Sequence, residues 1–188
     1  MKQFGSYAKV QAYSDIEKLP VGGYIVGILD AQEIGYDWGG VLEIKFDIAE
    51  GDFKNYYTEQ YKGSQMEDKK YKGVYRMNIP KEDGSQQDEW TARRFKTDIQ
   101  SIEDSNPGFH WDWDEKKLVG KKVGAVFFEK EWAFDGKTGF FTALHSFRSV
   151  ETIKAGKFKI PNAKLLKNKP ASADVFVEVD DDGDLPFN

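Results

Sequence analysis

The chain has 188 residues, 39% hydrophobic and 31% charged, which suits one domain with appendages and a strongly polar surface. No apolar run approaches the roughly 20 residues of a membrane-spanning helix, and Met1-Lys2-Gln3-Phe4-Gly5 lacks a secretory pattern, so the expected compartment is the cytoplasm. Cysteine is absent, which excludes disulfide staples and thiolate chemistry, and the net charge of −5 resides in the last nineteen residues: their six acids meet no base, leaving 26 acids against 27 bases in residues 1–169.

Residues 1–18 read as a polar N-terminal extension, with Ser14 and Glu17 at capping-box spacing ahead of Pro20. After Gly22-Gly23 the run 24–29 is β-rich. Residues 41–48 alternate cleanly, with Leu42, Ile44, Phe46 and Ile48 on one face and Val41, Glu43, Lys45 and Asp47 on the other. The turn between them carries Tyr36 and Trp38, so the pair is expected to form a hairpin. Residues 53–61 and 71–79 read as further strand around a polar loop, and Pro80 stops the second piece.

The predicted helix spans about residues 88–103, with Asp88 as N-cap and Ala92, Phe95, Ile99 and Ile102 as its apolar stripe. Asn106-Pro107-Gly108 ends it. In the following segment, Trp111 and Trp113 alternating with Asp112 and Asp114 read as surface strand. Residues 123–134 and 138–150 are two strands joined at Asp135-Gly136, a strong hairpin signal.

Strand, strand, strand, helix, strand, strand is the order of an OB-fold, a five-stranded Greek-key barrel with its helix between strands three and four. The expected architecture is therefore mainly β. Residues 19–151 form the OB-fold nucleic-acid-binding domain, 152–169 a Lys-rich basic linker, and 170–188 a disordered acidic tail.

Catalysis finds little support. His110 and His145 lack paired metal-ligand spacing, no nucleophile or phosphate-loop motif occurs, and Asp112, Asp114 and Glu115 read as a solvated turn. No enzyme activity, metal or cofactor is expected. Aromatics are abundant, at 15%, and interleaved with cations. Single-strand binding without sequence preference calls for rings on which bases stack and cations along the phosphate path.

On an OB-fold those groups belong on strands two and three and on the loops joining strands one to two and four to five. Tyr36 and Trp38 fall in the first loop; Trp132, Phe134 and Lys137 surround the second. Lys45, Tyr57, Lys72, Tyr75 and Arg76 lie in or beside the middle strands. Tyr56 and Tyr57 are adjacent, so in a strand only one of them faces ligand. Phe46, Phe95, Phe127 and Phe141 read as core. Arg93, Arg94 and Lys96 give a basic helix edge.

The tail segment Asp180-Asp181-Asp182-Gly183-Asp184-Leu185-Pro186-Phe187 joins an acidic run to an apolar tip. Such a tip enters an apolar pocket while the carboxylates meet a basic rim. In this it resembles the bacterial single-stranded-DNA-binding proteins, whose acidic tails end in Pro-Phe and dock replication and repair proteins. The resemblance implies partner binding through Asp181, Asp182, Asp184, Leu185, Pro186 and Phe187. Asn188 departs from the pattern, because family tails finish on the Phe.

Residues 106–114 (Asn-Pro-Gly-Phe-His-Trp-Asp-Trp-Asp), Phe147-Arg148-Ser149-Val150 and Gly156-Lys157-Phe158-Lys159-Ile160-Pro161 also resemble small proteins of phage and mobile-element replication modules. That resemblance covers most of residues 20–161 and implies an OB-type single-strand binder. The expected function is to bind single-stranded DNA in replication or recombination and recruit partners through the tail. RNA and a homo-oligomer stay open, and no membrane is involved. The alternatives are a carbohydrate-binding β-domain and a non-catalytic protein adaptor.

Overall fold

The computed structural model describes Gly5 and residues 17–166. The capping-box reading at Ser14 and the whole acidic tail lie outside the described residues.

Five strands form one antiparallel sheet: β1 Gly22–Tyr36, β2 Gly39–Ile48, β3 Val74–Asn78, β4 Lys122–Phe134 and β5 Lys137–Arg148, ordered β3-β2-β1-β4-β5. Three helices accompany them: α1 Tyr56–Gly63, α2 Gln86–Ser105 between β3 and β4, and α3 Val150–Lys154. Among the described residues no ladder joins β3 to β5, so the sheet is not closed. No described helix is long and apolar enough to cross a membrane.

The two hairpins form where the turn chemistry places them. Asp135 and Gly136 take φ of 47° and 68°, the left-handed pair of a type I′ turn between Phe134 and Lys137. Alternation then assigns the faces. Val26, Ile28, Ala31, Leu42, Ile44, Phe46, Tyr75, Met77, Val123, Ala125, Phe127 and Phe147 point inward. They pack on Phe95, Ile99 and Ile102 of α2 and on Leu118 from the 3-10 turn Glu115–Leu118.

Several expectations are corrected. Residues 53–61 were expected as strand, yet Tyr56–Gly63 is helix: the buried Asp47 carboxylate accepts from the Tyr57 and Thr58 amides at 2.9 Å, satisfying the first turn. Of the strand expected over 71–79 only Val74–Asn78 pairs with β2. Ser85, not Asp88, caps α2: its hydroxyl accepts from the Asp88 amide at 3.1 Å, while Asp88 accepts from the Lys81 amide. Ala92 is exposed, and the buried stripe is Phe95, Asp98, Ile99 and Ile102.

The Trp111–Asp114 stretch is not strand; it leads into the 3-10 turn, which Asp114 caps. Nor is residues 152–169 an open linker in its described part. Ile153 and Phe158 lie over Gly23, Ile153 over Gly124, and Lys164 joins the edge of β4 beside Lys130.

Candidate nucleic-acid interface

The first candidate cluster is the β1–β2 tip. Tyr36 and Trp38 stack with centroids 5.1 Å apart and planes within 7°, and they are 43% and 47% exposed. A two-residue turn places both rings outside the sheet, where there is no core to enter. The Lys81 side chain lies over Gly39 at the same tip, a cation that sequence reasoning missed because its contact comes from the segment before α2.

The second cluster is the β4–β5 arm. β1 pairs with β4 only from Gly22↔Phe127 to Gly27↔Lys122, so residues 128–134 project beyond it with β5 as their ladder partner. Cross-strand partners share a face, so Lys130 with Phe141, Trp132 with Gly139 and Phe134 with Lys137 make one outer surface, none of these residues a carboxylate, while Phe128 on the same parity is buried edge-on to His145. Phe134 and Phe141 are exposed and Trp132 is half-buried, lying over Gly139, where a Cβ would sit 2.8 Å from the indole nitrogen.

The opposite face of the arm is covered in part, with Phe140 left 41% exposed on it. Lys18 pairs with Glu129 at 2.8 Å, Thr142 donates to the Leu19 carbonyl, and the Leu166 amide donates to the buried Glu131. Phe141, expected in the core, is a correction: it stands on the open face, 41% exposed, because its strand has left the α2 side of the sheet. Lys130 and Phe141 were missed as site residues. Period-two alternation from Trp132 and Lys137 contained the signal.

The middle strands are different. Lys45 pairs with Asp30 at 2.9 Å, and that hydrogen bond raises the ammonium above the ordinary lysine range, so it stays charged and engaged. Arg76 pairs with the nearly buried Glu43 at 3.0 Å. Both cations are thus neutralised by carboxylates across the ladder. Lys72 is exposed just before β3.

Tyr57 and Tyr75 are corrected outright. Both rings are buried in the core, and burial pushes both hydroxyls above the usual range. Tyr57 is on α1 rather than a strand, and Tyr75 falls on the inward parity of β3, opposite Ile44. Neither ring can meet a ligand on the outer face. Of the helix cations, Arg94 donates to the His145 carbonyl at 2.8 Å and Arg93 lies beside Glu89. The predicted tail contacts, Asp181 to Phe187, lie outside the described residues.

A third aromatic group escaped the site reading. Trp113 is 77% exposed, holds a φ of 68°, and lies parallel to Phe95. Asp112 is engaged by Lys117, which holds its carboxyl below the usual range. Comparison with models of known protein families gives no match, and no curated protein sequence matches the chain.

Proposed function

We propose that this protein binds single-stranded DNA without sequence preference during replication or recombination, and recruits partner proteins through its acidic Leu185-Pro186-Phe187 tip. The observation that carries the reading is the outer face of the β4–β5 arm. Trp132, Phe134 and Phe141 share it with Lys130 and Lys137, and none of these cross-strand partners is an acid. Rings supply sequence-tolerant stacking and cations follow the phosphates.

The stacked Tyr36–Trp38 pair with Lys81 offers a second platform. The strand order β3-β2-β1-β4-β5, with α2 between β3 and β4, fits an OB-fold left open along one seam. On this reading Lys45 and Arg76 hold the sheet rather than the ligand. The acidic tip fits the resemblance to bacterial single-strand binders.

The test is a fluorescence titration of dT and U oligonucleotides at low and moderate salt. Binding that weakens as salt rises is the expected result. Absence of binding to either strand, with the tail intact or removed, overturns the reading; salt-insensitive oligosaccharide binding replaces it with the carbohydrate alternative.

A further inference from the structure

The stretches of β4 and β5 that flank residues 138–142 are engaged. Along β4, the Glu131 amide donates to the Lys164 carbonyl and the Lys164 amide to the Glu129 carbonyl, both at 2.9 Å. At the base of β5, the His145 carbonyl takes Tyr75 and Arg94, and the Phe147 amide donates to Asp98. Residues 138–142 of β5 have no such cover among the described residues.

The direction of that stretch follows from the ladder. Glu129 and Glu131 turn their main chains toward Lys164, away from β5, so their cross-strand partners Thr142 and Phe140 turn theirs away from β4. Thr138 shares their parity. Three alternate residues, Thr138, Phe140 and Thr142, therefore present both an amide and a carbonyl outward, in a stretch that carries the exposed Phe140 and Phe141 rings. The usual protections of an edge are missing there: no proline, no acid, and a bulge only beyond Leu144.

We propose that this edge pairs with β5 of a second copy of the chain, antiparallel about a two-fold axis through Phe140. An axis perpendicular to the sheet keeps the faces in register, so residue parity must match across the join. Centring it on Phe140 sets Thr138 against Thr142 of the second copy and Phe140 against itself. All three outward amide–carbonyl pairs are then satisfied.

The side chains are self-complementary in that register. Phe141 falls opposite Gly139 of the second copy, the smallest residue meeting the largest, and Lys137 falls opposite Ala143, so no like charges oppose. The run Thr138-Gly139-Phe140-Phe141-Thr142 thus reads nearly the same from either end. The outer faces of the two arms become continuous, Trp132 and Gly139 of one copy adjoining Phe141 and Lys130 of the other. The inference stands independently of the nucleic-acid reading.

The absence of cysteine allows a clean test on the full chain. Under mild oxidation, Phe140→Cys should give a covalent dimer. Thr138→Cys and Thr142→Cys should cross-link when mixed and not alone. Sedimentation of the unmodified protein should show dimer, and Phe140→Lys, which sets two ammonium groups on the axis, should raise its dissociation constant by about tenfold or more. A monomer at all concentrations, self-linking at Phe141→Cys in place of Phe140→Cys, or a link from Phe140→Cys to a tail cysteine (Phe176→Cys) overturns it.

Discussion

The Tyr75 hydroxyl donates to the Asp98 carboxylate at 2.7 Å, and through that contact α2 holds the two unladdered edges of the sheet together. The second Asp98 oxygen accepts from the Phe147 amide at 2.9 Å, and Tyr75 also reaches the His145 carbonyl at 3.3 Å. A buried carboxylate thus does at the β3–β5 seam what a strand ladder does elsewhere.

Burial pushes the Asp98 carboxyl up to about 6, from 3.8. The folded state therefore holds its proton more tightly than the unfolded chain does. The contribution of this group is full below about pH 4 and is lost as pH rises from 4 to 6, by roughly 3 kcal/mol in all. Asp98→Asn, which cannot ionise, should remove that component. Urea unfolding of both proteins at pH 4, 5, 6 and 7 checks it; equal pH slopes would refute the assignment.

Asp47 accepts the Ile48, Tyr57 and Thr58 amides from a buried position. Asp47→Ala leaves those donors without their charged acceptor and should lower stability by about 3 kcal/mol. Amide exchange should accelerate first in residues 56–63. Protection unchanged in α1 would show that Tyr57 packing alone holds the helix.

Trp132→Ala and Phe141→Ala should each weaken dT binding by about 1–3 kcal/mol. Tyr75→Phe should leave binding by folded protein unchanged and reduce stability, since it removes the donor to Asp98. An oligonucleotide titration paired with a melting curve for each variant separates the two outcomes.

Lys45 is held by Asp30. If the ligand path crosses β2, Asp30→Asn frees one cation and should tighten dT binding severalfold at low salt, steepening the salt dependence by about one phosphate contact. An unchanged slope confines the path to the hairpin tips and the arm.

Gly124 sits where Ile153, the Arg148 carbonyl at 2.7 Å and the Ser149 carbonyl at 2.8 Å would meet a Cβ. Gly124→Ala must move α3 or the backbone and should cost about 1–3 kcal/mol in denaturant unfolding. A neutral result would mean that α3 is only loosely seated on the sheet.

Local chemistry wrote the hairpins into the sequence. Asp135-Gly136 demands a left-handed turn, period-two alternation assigns Leu42 through Ile48 to two faces, and Phe95, Ile99 and Ile102 recur at helical spacing. Those signals depend on neighbours a few residues apart, so one chain suffices to read them. The helical state of Tyr56–Gly63 was not legible, because its decisive acceptor is Asp47 in another element, and tyrosine-rich sequence otherwise favours strand. Asp98 sits among polar helix residues in the sequence, and only the fold brings Tyr75 and Phe147 onto it. The same holds for the site: the sequence marked Trp38, Trp132 and Lys137, whereas burial withdrew Tyr57 and Tyr75, ion pairing engaged Lys45 and Arg76, and the arm's projection brought out Phe141. Side-chain exposure and charge pairing are set by contacts between residues far apart in the chain, which only the folded arrangement brings together.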